Sequence, residues 1–159
     1  MEAEEEILVN KYAAGILNTN DILEFVNTKL DAGEWSDVFL EILDYDPKSW
    51  VGISELFEKY LKEKEVNLPT LEEAVRYLVE HHIKLIASGS VEPCGQFRKM
   101  LQEIDGYDYY SKTKDYVGDD LGIHMMYGWY YEDYCSVEEI NRGIFNESQV
   151  WVSKYGKKH

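Results

Sequence analysis

Residues 70–89, which decide the fold class, have the sequence TLEEAVRYLVEHHIKLIASG. Thr70 and Glu73 have the spacing of a capping box, in which each side chain satisfies a backbone N–H at the start of a helix. The apolar residues that follow recur at the period of one helical face, and Gly89 can end the helix because it adopts the left-handed conformation cheaply. The stretch therefore predicts one long amphipathic helix. Its apolar stripe is Leu71, Ala74, Val75, Leu78, Leu85 and Ile86.

The same helical spacing recurs on both sides of this stretch. Asp46-Pro47 is a typical helix entry, because aspartate caps the first turn and proline lacks an N–H that would be unpaired there. Ser136 and Glu139 repeat the capping-box spacing before the last predicted helix. Residues 149–154 have a short strand as an alternative, since Val-Trp-Val favours strands. The stripes are Ile22, Phe25, Val26 and Leu30; Trp35, Val38, Phe39, Ile42 and Leu43; Trp50, Ile53, Phe57, Tyr60 and Leu61; Phe97, Met100, Leu101 and Ile104; Leu121, Met125 and Trp129; and Ile140, Ile144, Trp151 and Val152.

The order of these patterns predicts the fold class. The chain has no pair of strand patterns joined by a turn, and no alternation of strands with helices. A length of 159 residues suits one domain. We therefore expect an all-α fold, a single-domain helical bundle or antiparallel helix array of about seven or eight helices over residues 1–159. Residues 105–116 are expected to form a loop.

The charge of the chain limits the class of partner. Lys and Arg together number 16 and Asp and Glu 31, so the net charge is −15. Such a protein repels phosphate backbones and anionic membrane surfaces, so we expect neither a nucleic acid nor a membrane as partner. A basic protein is the favoured partner, because opposite charges speed association.

Cysteine usage and the N-terminal residues suggest the compartment. Residues 1–6, MEAEEE, lack the basic and apolar segments of a signal peptide, and no stretch approaches the roughly 18 apolar residues of a membrane span. Cys94 and Cys135 are isolated and suit free thiols in a reducing cytosol, with a Cys94–Cys135 disulfide as the alternative. We expect a cytoplasmic protein. No Walker A, G-x-S-x-G or G-x-G-x-x-G motif is present, so we expect neither a cofactor nor an enzyme activity.

Two groups of residues could carry other chemistry, but each has a structural explanation. His81 and His82 are adjacent on the predicted helix and diverge by about 100°, whereas zinc-binding helices offer ligands four residues apart. We expect both to be semi-buried structural residues. Cys94 has Arg98 about one helical turn away as its nearest basic residue, and a reactive thiolate would also need a histidine base brought to it from elsewhere in the fold.

An aspartate cluster gives the alternative of a metal-dependent hydrolase. Asp115, Asp119 and Asp120 lie around Gly118, and with His124 they offer the oxygen and nitrogen ligands that divalent metals use in hydrolases. The spacing of an EF-hand loop is absent. Capping of the following helix by one of these aspartates is the favoured explanation of the cluster.

The densest unusual pattern combines tyrosine with aspartate. Eight of the thirteen tyrosines lie between Tyr107 and Tyr134. Tyrosine offers a large contact area at low entropy cost, and aspartate accepts hydrogen bonds from Arg and Lys, so together they suit a surface that binds a basic protein. The predicted partner-binding residues are Asp105, Tyr107, Asp108, Tyr109, Tyr110, Asp115, Tyr116 and Asp119.

A second acidic and aromatic run lies in the first half of the chain and contains no Lys or Arg. It consists of Glu34, Trp35, Asp37, Glu41, Asp44, Tyr45 and Asp46. The alternative explanation is structural: Trp35 belongs to a core stripe, and the acids lie on the opposite, solvated helix face.

Two stretches resemble a known class of proteins. Residues 88–95, SGSVEPCG, and residues 116–123, YVGDDLGI, followed by GWYYED at 128–133, are similar to elements of small acidic immunity proteins from polymorphic or contact-dependent bacterial toxin systems. The resemblance spans about residues 70–134. It implies a cytoplasmic, non-enzymatic inhibitor that binds a cognate toxin domain, often a nuclease, and blocks its active site or a site beside it.

The leading hypothesis is therefore an immunity protein that neutralises a toxin domain through an acidic, tyrosine-rich surface. The enzyme alternative is the metal-dependent hydrolase described above. A third alternative is a helical adaptor that binds peptides, for which we would expect an apolar groove instead of a charged face.

Overall fold

The computed structural model describes residues 1–106 and 121–156. Within those residues the protein forms eight helices and no strand, which confirms the predicted all-α class and helix number. Residues 149–154 belong to the last helix, so the strand alternative is wrong. The helices are α1 (Ala3–Ala13), α2 (Thr19–Asp31), α3 (Asp37–Asp44), α4 (Trp50–Glu63), α5 (Leu71–Ala87), α6 (Pro93–Gly106), α7 (His124–Tyr130) and α8 (Val137–Tyr155).

The chain divides into two compact units, Met1–Thr70 and Leu71–His159. The expectation of one domain over the whole chain stays a prediction. Among the described helices, none combines the length and the apolar character that crossing a membrane requires.

The first unit is built around α2, which packs against α1, α3 and α4. Four aromatic rings meet in its core, with ring centroids 5.1 to 6.4 Å apart and mostly edge-to-face. The rings belong to Phe25, Phe39, Phe57 and Tyr60. All four were predicted on apolar stripes, so the helical period correctly identified this core.

In the second unit, α8 packs against α5, α6 and α7. The helix predicted from residues 70–89 is α5, and Gly89 follows it with a φ of +73°. The predicted capping box at the start of α8 is present: Ser136 Oγ accepts a hydrogen bond from Glu139 N, and Glu139 Oε2 accepts one from Ser136 N. Gly143 of α8 leaves room for the indole of Trp129, which occupies the space that a Cβ would need.

The helix predicted after Gly118 differs from the observed one. Leu121 is buried but precedes α7, which begins only at His124. Met126 faces the core, whereas Met125, predicted to point inward, is 52% exposed. Because the turn before His124 interrupts the helix, the apolar period does not run on from Leu121.

Candidate protein-binding surface

The first unit exposes large apolar side chains mainly around α3. Of its seven exposed large apolar residues, five lie between residues 35 and 51: Trp35, Leu40, Tyr45, Trp50 and Val51. Single exposed apolar residues are ordinary, whereas a cluster of them marks a binding surface. The acidic and aromatic run predicted from sequence, residues 34–46, overlaps this segment. We call its seven residues the α3 ridge: Glu34, Trp35, Asp37, Glu41, Asp44, Tyr45 and Asp46.

Trp35 lies at the N-terminal end of the ridge and not in the core. Helix α3 begins at Asp37, after Ser36, whose side-chain oxygen accepts a hydrogen bond from Val38 N at 3.3 Å. Trp35 therefore precedes the helix, and it is 67% exposed. The placement of Trp35 on a core stripe is wrong, because the helix begins only after the capping residue that follows it. The other part of that alternative, acids on the solvated face of the helix, is confirmed.

A buried lysine holds the turn that carries Trp35. The side chain of Lys29, at the end of α2, is only 4% exposed. Its ammonium group donates to Glu34 Oε1 at 3.0 Å and to Glu2 Oε2 at 2.5 Å. It also lies 5.7 Å from the centroid of the Phe25 ring. Bonding to Glu2 and Glu34 outweighs the cost of burial and raises the pKa of Lys29, so the group stays charged.

Backbone geometry completes this turn. Gly33 has a φ of +81°, the left-handed conformation that glycine adopts most easily, and the N–H of Glu34 donates to the carbonyl of Lys29 at 2.9 Å. Backbone and side chain of Glu34 are thus both held by Lys29, and Trp35 is the next residue. The exposure of this indole follows from a fixed turn.

Acidic side chains form the middle of the ridge. Val38, Phe39 and Ile42 bury one face of α3. Positions 37, 41 and 44 are spaced by four and three residues and fall on the opposite face, where Asp37, Glu41 and Asp44 are exposed. Lys59 of α4 pairs with Glu41 at 2.7 Å.

At the C-terminal end of the ridge, the chain passes from α3 to α4 around Tyr45. Its phenol ring fills the space beside Gly52, in the first turn of α4, where a Cβ would collide with it. Lys48 donates to the carbonyls of Ile42, at 3.1 Å, and Leu43, and so caps the end of α3.

Trp50 adds a second indole near this end of the ridge. It begins α4, is 42% exposed, and lines an open depression of about 270 Å³ together with Gly15, Leu17, Asn18 and Thr19. Sequence spacing had predicted Trp50 on the core stripe of this helix. That assignment is wrong, because burial in α4 begins at Gly52 and Ile53, and Trp50 precedes both.

Three carboxylates of the ridge are available to a partner. Within the described residues, the side chains of Asp37, Asp44 and Asp46 form no hydrogen bond and no ion pair within 4 Å, and all three are exposed. Asp37 is nevertheless near enough to Lys59 to contribute, after Glu41, to the raised pKa of that lysine. Each lies within two residues of an exposed aromatic ring, Trp35 or Tyr45. The ridge thus combines unpaired acids with exposed aromatic surface.

Of the eight predicted partner-binding residues, only Asp105 belongs to the described part of the chain. It lies in the last turn of α6 and is exposed, so the predicted loop does not begin at residue 105. The other seven lie outside the described residues: Tyr107, Asp108, Tyr109, Tyr110, Asp115, Tyr116 and Asp119. Their role stays a prediction.

Of the four residues proposed as ligands of a hydrolase metal, the structure describes one. Asp115, Asp119 and Asp120 lie outside the described residues, and His124 is an exposed residue at the start of α7. In residues 1–106 and 121–156, no three His, Cys, Asp or Glu side chains are grouped as metal ligands.

The structure agrees with the predictions of a half-buried His81 and free cysteine thiols, but it buries His82 more deeply than predicted. His82 is buried, with Nε2 2.7 Å from Glu103 Oε2 and Nδ1 2.7 Å from Gln96 Nε2, a structural link between α5 and α6. Cys94 and Cys135 are both free thiols. Burial, followed by the nearby Glu92 carboxylate, raises the pKa of Cys94, which disfavours a reactive thiolate.

Comparison with known proteins adds no relative to this description. No protein-family model matches the chain, and no curated protein and no solved structure is detectably similar to it. The function therefore has to be argued from the surface itself.

Proposed function

We propose that the protein is a non-enzymatic inhibitor that binds a basic protein, a toxin domain, and neutralises it by covering its functional site. The observation that carries the proposal is the α3 ridge, where the exposed Trp35 directly follows the residue that a buried lysine bonds, and where three exposed aspartates form no ion pair. The toxin as partner follows from the resemblance of residues 88–95 and 116–133 to immunity proteins. The inhibitor would act in the cytoplasm, where an immunity protein meets its toxin.

Charge favours a basic partner for this surface. The first unit has sixteen acidic and six basic residues, a net charge of −10, out of −15 for the whole chain. Two of the ridge acids, Glu34 and Glu41, are paired by lysines of the same unit. The remaining ridge acids face solvent, where they attract a cationic surface over roughly 8–10 Å at physiological salt.

Aromatic exposure favours a protein over a small cation. Tryptophan and tyrosine are the residues that contribute most to protein interfaces, especially where their position is fixed before binding. The Lys29–Glu34 contact holds the backbone turn that leads into Trp35. A fixed backbone at this position lowers the conformational entropy that is lost when a partner covers the indole.

A nuclease is the toxin class that this surface fits best. Nuclease sites attract phosphates and are therefore basic, so an acidic face can occupy the site in place of the substrate. The inhibitor needs no catalytic group for this mechanism, because it acts by charge and by excluding the substrate.

Affinity capture followed by a neutralisation assay tests the proposal. The immobilised protein should retain one basic protein from a lysate of the native host at low salt and release it at high salt, since salt screens the attraction. Expression of that captured protein should be toxic, and co-expression of the inhibitor should restore growth. Capture of no basic protein, or of one whose toxicity the inhibitor leaves unchanged, would contradict the proposal.

Two charge-reversal variants compare the two acidic stretches. Asp37→Lys with Asp44→Lys changes the α3 ridge, and Asp108→Lys with Asp115→Lys changes the tyrosine-rich stretch. The pair that lies in the interface should weaken binding by more than about tenfold without loss of helicity. We expect this loss for the ridge pair. If the tyrosine-rich pair alone has this effect, the inhibitor uses residues 105–120 instead.

A further inference from the structure

The unpaired aspartates of the α3 ridge are all close in sequence to exposed aromatic residues. Asp37 lies two residues from Trp35, and Asp44 and Asp46 lie on either side of Tyr45. By contrast, Glu34 and Glu41 already contact ammonium groups, those of Lys29 and Lys59. The chain's own lysines thus satisfy two of the five ridge acids, and the three that remain are all close to exposed rings in sequence.

From this arrangement we infer that the α3 ridge, together with Trp50 beyond its C-terminal end, recognises arginine side chains of the basic partner, with guanidinium groups stacked on the two indoles and bonded to aspartates of the ridge. The inference rests on the proposed function and specifies the chemistry of the partner's contact residues.

Guanidinium fits this surface better than ammonium for two reasons. Its planar group stacks on an aromatic face, and its fork of N–H donors matches both oxygens of one carboxylate. An ammonium is a strongly hydrated point charge that gains less from an exposed ring. A surface that offers a ring and a free carboxylate together therefore discriminates between the two cations.

The two indoles lie beyond opposite ends of α3 in the sequence. Helix α3 has eight residues and is about 12 Å long at 1.5 Å per residue. Trp35 precedes its first residue, and Trp50 follows its last residue by six positions. One arginine at each end of the ridge would leave the acidic face of α3 between them for further cations.

Titration with cationic peptides tests the inference without the partner. The probes are hexaarginine amide and hexalysine amide, titrated calorimetrically at equal ionic strength. We expect the wild-type protein to bind the arginine peptide about fivefold more tightly than the lysine peptide, the size of one or two exposed cation–π contacts. Trp35→Leu with Trp50→Leu retains apolar bulk but removes the indole faces, and should abolish this preference.

Tyr134→Leu is the control, because Tyr134 is 98% exposed, follows Glu132 and Asp133, and is not one of the ridge residues. It should retain the preference for arginine. Equal affinity of the two peptides for the wild type would overturn the inference, as would a preference that survives in the Trp35→Leu, Trp50→Leu variant. Circular dichroism of each variant verifies that helicity is unchanged.

The peptide titration and the neutralisation assay distinguish failure of this inference from failure of the proposed function. Equal peptide affinities would remove the preference for arginine but leave a captured, neutralised toxin unaffected. Conversely, a preference for arginine in a protein that neutralises no captured toxin would contradict the proposed function and support cation recognition by the ridge.

Discussion

Lys29 Nζ lies 3.0 Å from Glu34 Oε1 and 3.2 Å from Glu34 Oε2, so one buried ammonium contacts both oxygens of an exposed carboxylate. The same ammonium contacts Glu2 at the start of α1. This pairing joins the end of α2 to the residue before Trp35. It connects the packing of the first unit to the surface that we propose for binding.

Substitution of Lys29 tests whether this contact positions Trp35. Lys29→Met keeps the apolar stem and frees Glu34, so Trp35 should become mobile, while the free energy of unfolding changes by no more than about 1 kcal/mol, because both carboxylates return to water. With fluorotryptophan incorporated, the ¹⁹F signal of Trp35, assigned by Trp35→Phe, should narrow and shift. The signals of Trp129 and Trp151 should stay in place.

Lys29→Arg is the conservative variant and should restore the Trp35 signal, because a guanidinium also bonds to carboxylates. A Trp35 signal that is identical in wild type and Lys29→Met would show that Lys29 has no positioning role.

The Glu2–Lys29 contact predicts a pH dependence of stability. Bonding to Lys29 lowers the pKa of Glu2 below its ordinary value of 4.5. A carboxyl with a lowered pKa contributes stability above its unfolded pKa, and that contribution is lost as the pH falls through the lowered, folded-state pKa. Glu2→Gln should therefore destabilise the protein at neutral pH and have no effect in stronger acid. Denaturant unfolding at a series of pH values measures the difference.

Glu4→Gln is the control for this series, because Glu4 is exposed in the same first turn of α1 and has no ion pair among the described residues. The same loss of stability in both variants would mean that the helix dipole, and not Lys29, accounts for the effect.

Substitution of Asp44 should raise the stability of the protein but weaken its binding to the partner. It lies in the last turn of α3, where the negative end of the helix dipole disfavours an acid. Asp44→Asn should raise the free energy of unfolding by about 0.3–1 kcal/mol and weaken partner binding. Asp31→Asn changes an exposed acid in the equivalent last position of α2 and should be stabilising without affecting binding. Equal weakening of binding in both variants would indicate a role for net charge alone.

A buried hydrogen bond in the first unit should be essential to its stability. Tyr60 Oη donates to Glu5 Oε1 at 2.8 Å, and both side chains are buried. Burial raises the pKa of Tyr60 well above its ordinary value, so the phenol stays a donor at physiological pH. Tyr60→Phe should cost about 1–3 kcal/mol, because it leaves a buried carboxylate without its donor.

Tyr12→Phe is the comparison, since Tyr12 bonds to Glu58 in a half-buried setting where water can replace the hydroxyl. Burial and Glu58 raise the pKa of Tyr12 to about 12. Thermal unfolding should show the larger loss for Tyr60→Phe, and a larger loss for Tyr12→Phe would be inconsistent with this packing.

Alanine substitutions at two glycines of the second unit should change the free energy of unfolding in opposite directions. At Gly143 a Cβ would overlap the Trp129 indole, so Gly143→Ala should destabilise by about 1–3 kcal/mol through overpacking. At Gly128, within α7, nothing lies within 4 Å of the Cβ position. Gly128→Ala should stabilise by about 0.5–1 kcal/mol, the ordinary gain in a helix. Chemical denaturation measures both, and equal signs would contradict the packing of Trp129 on Gly143.

The helical period was sufficient to predict most of the fold. Phe25, Phe39 and Phe57 were all placed correctly, because burial of one helix face leaves a regular spacing in the sequence. The errors lie at helix ends. Trp35 and Trp50 continue an apolar spacing beyond the residues that pack, and the spacing alone does not show where packing stops.

The candidate surface was only partly predictable. The acids and aromatics of the α3 ridge were visible as a run without Lys or Arg. The role of Lys29 was missed, although it follows Phe25 by four residues and Val26 by three, and so lies on the apolar face of α2. A lysine in such a position is the sequence signal of a buried ion pair. Its partners, Glu2 and Glu34, depend on the tertiary fold.

Binding of a basic partner should depend on the α3 ridge. The most direct test is the dissociation constant of the captured basic protein for three forms of the inhibitor: wild type, Asp37→Lys with Asp44→Lys, and Asp31→Lys with Glu24→Lys. The last pair makes the same change in net charge on exposed residues of α2. We predict that the ridge pair weakens binding by more than about tenfold and the α2 pair by much less. Equal losses of affinity in the two variants, or unchanged affinity in the ridge variant, would contradict binding through the α3 ridge.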